Sequence, residues 1–110
     1  MLSPSDPDMQ LQLAICKRML NKHWDAIHHC INAIEMDPDS LSAYFELGLN
    51  YAALGHDQEA LNAFYRTVEI DPESFEARRH YAIMLRKTGQ AEEAQRQMKI
   101  ALELKANKNK

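Results

Sequence analysis

The densest group of reactive side chains lies between residues 23 and 30, where His23, His28, His29 and Cys30 fall within eight residues. Imidazole and thiolate are good zinc ligands, so this stretch is a candidate metal site. On a helix His28, His29 and Cys30 point about 100° apart in succession, whereas two ligands on one helical face need a spacing of three or four. Asp25 and His29 have that spacing and offer two ligands; the rest of the group does not converge. Nucleophilic chemistry fares no better. The chain has no Gly-x-Ser-x-Gly elbow, no cysteine in a recognisable catalytic motif and no glycine-rich phosphate loop. The residues therefore predict no enzyme, no metal and no cofactor.

The elements that must position these side chains follow from composition. With 110 residues, 45% apolar and 26% charged, the chain has the makings of one compact domain. Three glycines and four prolines are too few for the frequent turns of a strand-built sandwich or barrel, so helices are expected. Thirteen basic against sixteen acidic residues give a net charge of −3, which is the wrong balance for neutralising phosphates, and nucleic acid is not an expected partner. No uninterrupted apolar run reaches the roughly 20 residues that span a bilayer, and Met1-Leu2-Ser3-Pro4-Ser5-Asp6 lacks the basic start and apolar stretch of a signal peptide. Cys16 and Cys30 lack a disulfide-framework spacing and read as small apolar residues of a reducing compartment. The expectation is a cytoplasmic protein with no membrane partner.

The chain repeats every 34 residues. Pro4, Pro38 and Pro72 share one phase; so do Asn21, Gly55 and Gly89, then Ala26, Ala60 and Ala94, and Ile34, Val68 and Leu102. Each unit reads as two helices. In the middle copy Leu41, Tyr44, Phe45, Leu47, Gly48, Tyr51, Ala52 and Leu54 recur at three and four residues and end at Gly55. A second helix from about Asp57 to Ile70 is stopped by Asp71-Pro72. The other copies give helices near Asp8–Leu20 and His23–Met36, and near Phe75–Thr88 and Ala91–Lys105. Helices of this length are marginal alone, so neighbouring pairs must stack, and Ala14, Gly48 and Ala82 with Ala26, Ala60 and Ala94 suit the closest approaches. Glu35, Glu69 and Glu103 recur with the repeat and belong to a solvated face, while Trp24 is expected to pack between turns.

Tyr44, Leu47, Gly48, Tyr51, Gly55, Ala60, Ala63, Phe64 and Pro72 of the middle copy resemble the tetratricopeptide repeat. The flanking copies drift, at Gln10, Ala14, Lys17 and Cys30 in the first and at Arg78, Tyr81, Ala82, Leu85, Met98 and Ala106 in the third. Cys30 takes the buried aromatic place of the repeat, which favours a structural role for it over metal binding. The resemblance implies an all-α fold: a right-handed superhelical stack of three antiparallel helix pairs. Its limits are residues 7–106, divided 7–40, 41–74 and 75–106, after a lead at 1–6 and before a polar tail at 107–110.

The resemblance further implies a concave groove, lined by the first helix of each pair, that holds a segment of another protein. Its inward positions fall on Leu11, Gln12, Ile15 and Met19 in the first copy, Phe45, Glu46, Leu49 and Ala53 in the second, and Arg79, His80, Ile83, Arg86 and Lys87 in the third. The groove is thus expected to be apolar at one end and basic at the other, suited to an apolar or amphipathic segment, as in an adaptor or chaperone-like module. The carboxylate-gripping subgroup of the family is not expected. Its Lys, Asn, Asn, Lys and Arg are replaced by Leu11, Ile15, Glu46, Glu76 and His80, and Glu46 and Glu76 repel a carboxylate. The other reading is a structural module that assembles with copies of itself. No seventh helix is expected in 107–110, so Tyr81, Leu85, Met98 and Leu102 are expected to present exposed edges that favour weak self-association through the third repeat.

Overall fold

The computed structural model describes residues 6–108 and places six α-helices there: α1 Pro7–Met19, α2 His23–Met36, α3 Leu41–Ala53, α4 Asp57–Ile70, α5 Phe75–Lys87 and α6 Ala91–Lys108. Local chemistry sets their ends in the phase of the repeat. The first helix of each pair is capped at its N-terminus by a side-chain oxygen: Asp6 accepts from the Asp8 amide, Ser40 from Ala43 and Ser74 from Ala77. Each such helix then turns through a residue with positive φ, Asn21 at 60°, Gly55 at 78° and Gly89 at 88°. Asp37 and Asp71, each followed by proline, leave the helical region at φ −139° and −135°, ending α2 and α4.

The two helices of each pair pack together, and α3 and α5 each also pack against the second helix of the preceding pair. The result measures 46 × 32 × 22 Å. Ala14, Ala26, Ala60 and Ala82 are buried at the helix crossings as the repeat requires. The middle of the core joins Ala60, Leu61 and Phe64 to Met84, Leu85 and Ala94. Burying such side chains supplies roughly 1.5–3 kcal/mol for each large one, which an isolated short helix lacks.

Three expectations need correction. First, α6 runs to Lys108, so Asn107 and Lys108 of the expected polar tail continue the helix; Lys105-Ala106 stand where Asp71-Pro72 stop α4, and no proline interrupts the ladder. Second, Leu85 is no exposed edge: at 2% exposure it points back into the core beside Phe64, whereas Leu102 is 56% exposed. Third, α1 and α5 end at Met19 and Lys87, each one residue short of expectation. The lead at 1–5 and Asn109–Lys110 lie outside the described residues. Among the described residues no helix is long and apolar enough to cross a membrane.

Candidate functional site

Helices α1 and α3 touch directly, whereas among the described residues α3 and α5, α2 and α4, and α4 and α6 make no comparable approach. The first helices of the pairs are the ones expected to line a concave side. On that side a recess of about 380 Å³ brings Leu11, Gln12, Ile15, Phe45 and Glu46 together, joined by Leu41, Ser42, Ser74 and Glu76. Three helices contribute to it, from three different repeats. Its walls combine apolar side chains with a polar edge of Gln12, Ser42, Ser74 and Glu76, the mixture that seats an apolar anchor and orients it by hydrogen bonds.

The other expected groove residues are distributed differently. Phe45, Leu49 and Ile83 are half-buried and pack against the central core, so part of their surface is already committed to folding. His80 stacks on Phe64 at 5.1 Å and meets the Phe45 ring edge-on at 5.0 Å. Burial, and then Arg79, lower its pKa below the ordinary histidine value, against the opposing pull of Glu76. Met19 and Ala53 are exposed at the ends of α1 and α3, and Arg79, Arg86 and Lys87 are exposed on α5. Ile83 and Arg86 also border a separate recess at the α5–α6 end of the stack.

Glu46 departs most from expectation. It is no free carboxylate facing a ligand: only 8% exposed, it accepts from both Nε and an Nη of Arg18, at 2.6 and 3.2 Å. The carboxylate holds the Arg18 guanidinium above its ordinary pKa. Sequence reasoning missed Arg18, although it occupies the same repeat phase as Arg86. The carboxylate facing outward at this recess is Glu76, which is exposed.

The histidine and cysteine group is divided among separate partners. His23 Nδ1 lies 2.9 Å from Asn50 Oδ1, and His29 Nδ1 lies 2.7 Å from Gln10 Oε1. Cys30 is fully buried, and burial first, then the Glu46 charge, push its thiol up to about 12, with Arg18 opposing. Among the described residues no three His, Cys, Asp or Glu side chains gather as a metal-ligand group. Trp24, 57% exposed, packs its ring edge-on against Tyr51 and His56.

No family model matches the chain. Human tetratricopeptide repeat protein 6 is 27% identical over 93 residues, which cover 82% of this chain and 18% of that protein. The crystal structure of MamA superposes with a TM-score of 0.93 at 26% identity, covering 98% of this chain and 63% of MamA. The Yersinia enterocolitica type III secretion translocator chaperone SycD gives 0.87 at 24% identity, covering 96% of this chain and 80% of SycD. This chain thus spans less than a fifth of the human protein and under two thirds of MamA. The likeness to tetratricopeptide repeat proteins holds in sequence and in fold, and the all-α superhelical stack of helix pairs stands.

Proposed function

We propose that this tetratricopeptide-type stack binds a segment of another protein along its concave face, as a scaffold or adaptor that catalyses no reaction. The recess shared by α1, α3 and α5 carries the reading. Leu11, Ile15 and Phe45 offer apolar contact, and Ser42 and Gln12 offer hydrogen bonds at the rim. Beyond it, exposed Arg79, Arg86 and Lys87 form a basic stretch on α5. A fitting ligand places an apolar or amphipathic anchor in the recess and acidic residues against α5. A free C-terminal carboxylate does not fit, because the exposed Glu76 stands at the recess and its lysine and asparagine counterparts are missing.

The test is a selection of random-sequence displayed peptides on the whole chain, with affinities of the winners measured for the wild type and for Arg79→Glu. The proposal expects an apolar anchor with acidic neighbours, and at least a tenfold loss for the acidic winners on charge reversal. Winners with no shared anchor, or with affinities indifferent to Arg79, overturn it. Phe45→Ala and Leu49→Ala are poorer probes, since both side chains also support the core.

A further inference from the structure

The α5–α6 end of the stack carries an apolar recess of about 710 Å³, bordered by Ile83, Met98 and Leu102 with Ala94 beneath. One repeat earlier, the same phases hold Leu49, Phe64, Val68 and Ala60, and there α5 packs on α4. Val68 is 9% exposed and its counterpart Leu102 is 56% exposed. The difference marks a seat shaped for the first helix of another pair; among the described residues nothing occupies it.

We infer that this seat takes helix α1 of a second copy, joining chains head to tail. Helix α1 is the repeat counterpart of α3 and α5, the two helices that fill the corresponding seats inside the chain. Its outward edge carries Leu13, 37% exposed, in the phase at which Tyr81 meets Tyr65 at 5.6 Å. Three contacts between successive pairs have images at the joint. The Arg18–Glu46 pair maps onto Arg86 and Gln12 of the second copy, a guanidinium facing an amide oxygen. Trp24 against Tyr51 maps onto Glu92 and Lys17 of the second copy, which carry opposite charges. Tyr65 with Tyr81 maps onto the alkyl stem of Lys99 and Leu13 of the second copy. At none of these images do like charges meet. The contact is heterologous, so each added copy exposes a fresh seat and growth is open-ended. The joint borrows Gln12 from the rim of the concave recess and Arg86 from the basic stretch of α5, but the residues that test it, Leu13 and Leu102, lie outside that recess, so its failure and a failure of the groove reading are read separately.

The experiment is light scattering on the 110-residue chain across a concentration series, with Leu13→Glu blocking one end and Leu102→Glu the other. The wild-type mass is expected to rise continuously past the dimer. Each variant stays monomeric, and an equimolar mixture of the two forms a dimer and stops there, because each variant keeps one working end. A wild type that stays monomeric at millimolar concentration, a plateau at the dimer, or variants that fail to complement overturns the proposal, as does wild-type assembly competed away by an unrelated amphipathic helix but not by Leu102→Glu chains. Circular dichroism checks that both variants fold. Should Leu13→Glu unfold, Lys17→Glu and Glu92→Lys replace the pair: each alone weakens assembly several-fold and their mixture restores it, and a mixture no better than either alone counts against the joint.

Discussion

A Cβ placed on Gly48 would lie 2.6 Å from Cε1 of Phe64, whose ring is 1% exposed and is held in place by His80 and Phe45. Two effects of Gly48→Ala therefore compete. Alanine favours the helix over glycine by about 1 kcal/mol, while overpacking a core that cannot yield costs about 1–3 kcal/mol. Because the obstructing atoms belong to a buried ring, the steric cost wins, and a net loss of up to about 2 kcal/mol is expected in urea unfolding. The other copies show the compensation: Ala14 stands opposite Cys30, and Ala82 opposite Met98, at the same repeat phases. Phe64→Met should accordingly make Gly48→Ala milder, and a double-mutant cycle with no coupling contradicts this packing account.

The Arg18–Glu46 pair predicts an unequal response among ion pairs. Its side chains are 33% and 11% exposed, against 70% and 34% for Arg96–Glu93. Arg18→Ala leaves the Glu46 carboxylate sheltered without its donor and is expected to cost about 1.5–3 kcal/mol. Arg96→Ala should be close to neutral. Equal effects of the two substitutions on the urea midpoint would refute the distinction.

Acid should destabilise the fold through its histidines. Burial lowers the pKa of His80, with Arg79 adding to the effect, and burial followed by His28 and Lys17 lowers that of His29. A group whose folded pKa lies below its unfolded value of about 6.5 binds its proton more readily when unfolded. Stability is therefore full above that value and falls as pH drops below it, until the folded pKa is passed. The slope from His80 is at most about 1.4 kcal/mol per pH unit. Melting temperature between pH 7.5 and 5.5 reads the effect. His80→Phe, which keeps a flat ring between Phe45 and Phe64, should flatten the dependence, and an unchanged slope would count against it.

The two thiols should react very differently. Cys16 is exposed, whereas Cys30 is fully buried with its thiol pushed up to about 12. Thiolate is the reactive form, so one fast thiol per chain is expected with an aromatic disulfide reagent at pH 8, and the second only after denaturation. Two fast thiols in the folded protein would mean that the α1–α2 core opens.

How much of this was legible in the residues depends on the distance over which each feature is decided. The bounds of α2 and α4 were readable because Asp37-Pro38 and Asp71-Pro72 act within one turn, and the tight turns because Asn21, Gly55 and Gly89 recur in phase. Burial of Ala14, Ala26, Ala60 and Ala82 followed from the same period. The Arg18–Glu46 pair was not legible, since it spans 28 residues and depends on how far one pair is offset on the next. The polar pairs that do recur sit at other phases and within one repeat: Gln10 with His29, and Arg78 with Gln97, where the middle copy has Tyr44 and Ala63. The burial of Leu85 was missed because apolar periodicity does not say which of two neighbouring pairs a residue on α5 faces.

The groove itself is tested most directly at Ser42, which is exposed, borders the concave recess and contributes nothing to the central core. Fluorescence anisotropy of a selected peptide against Ser42→Arg, with circular dichroism to confirm an unchanged melt, isolates occupancy of the recess from stability. At least a tenfold weaker Kd, about 1.4 kcal/mol or more, is the predicted result. An unchanged Kd in the folded variant would place the ligand elsewhere and contradict the reading of the concave face.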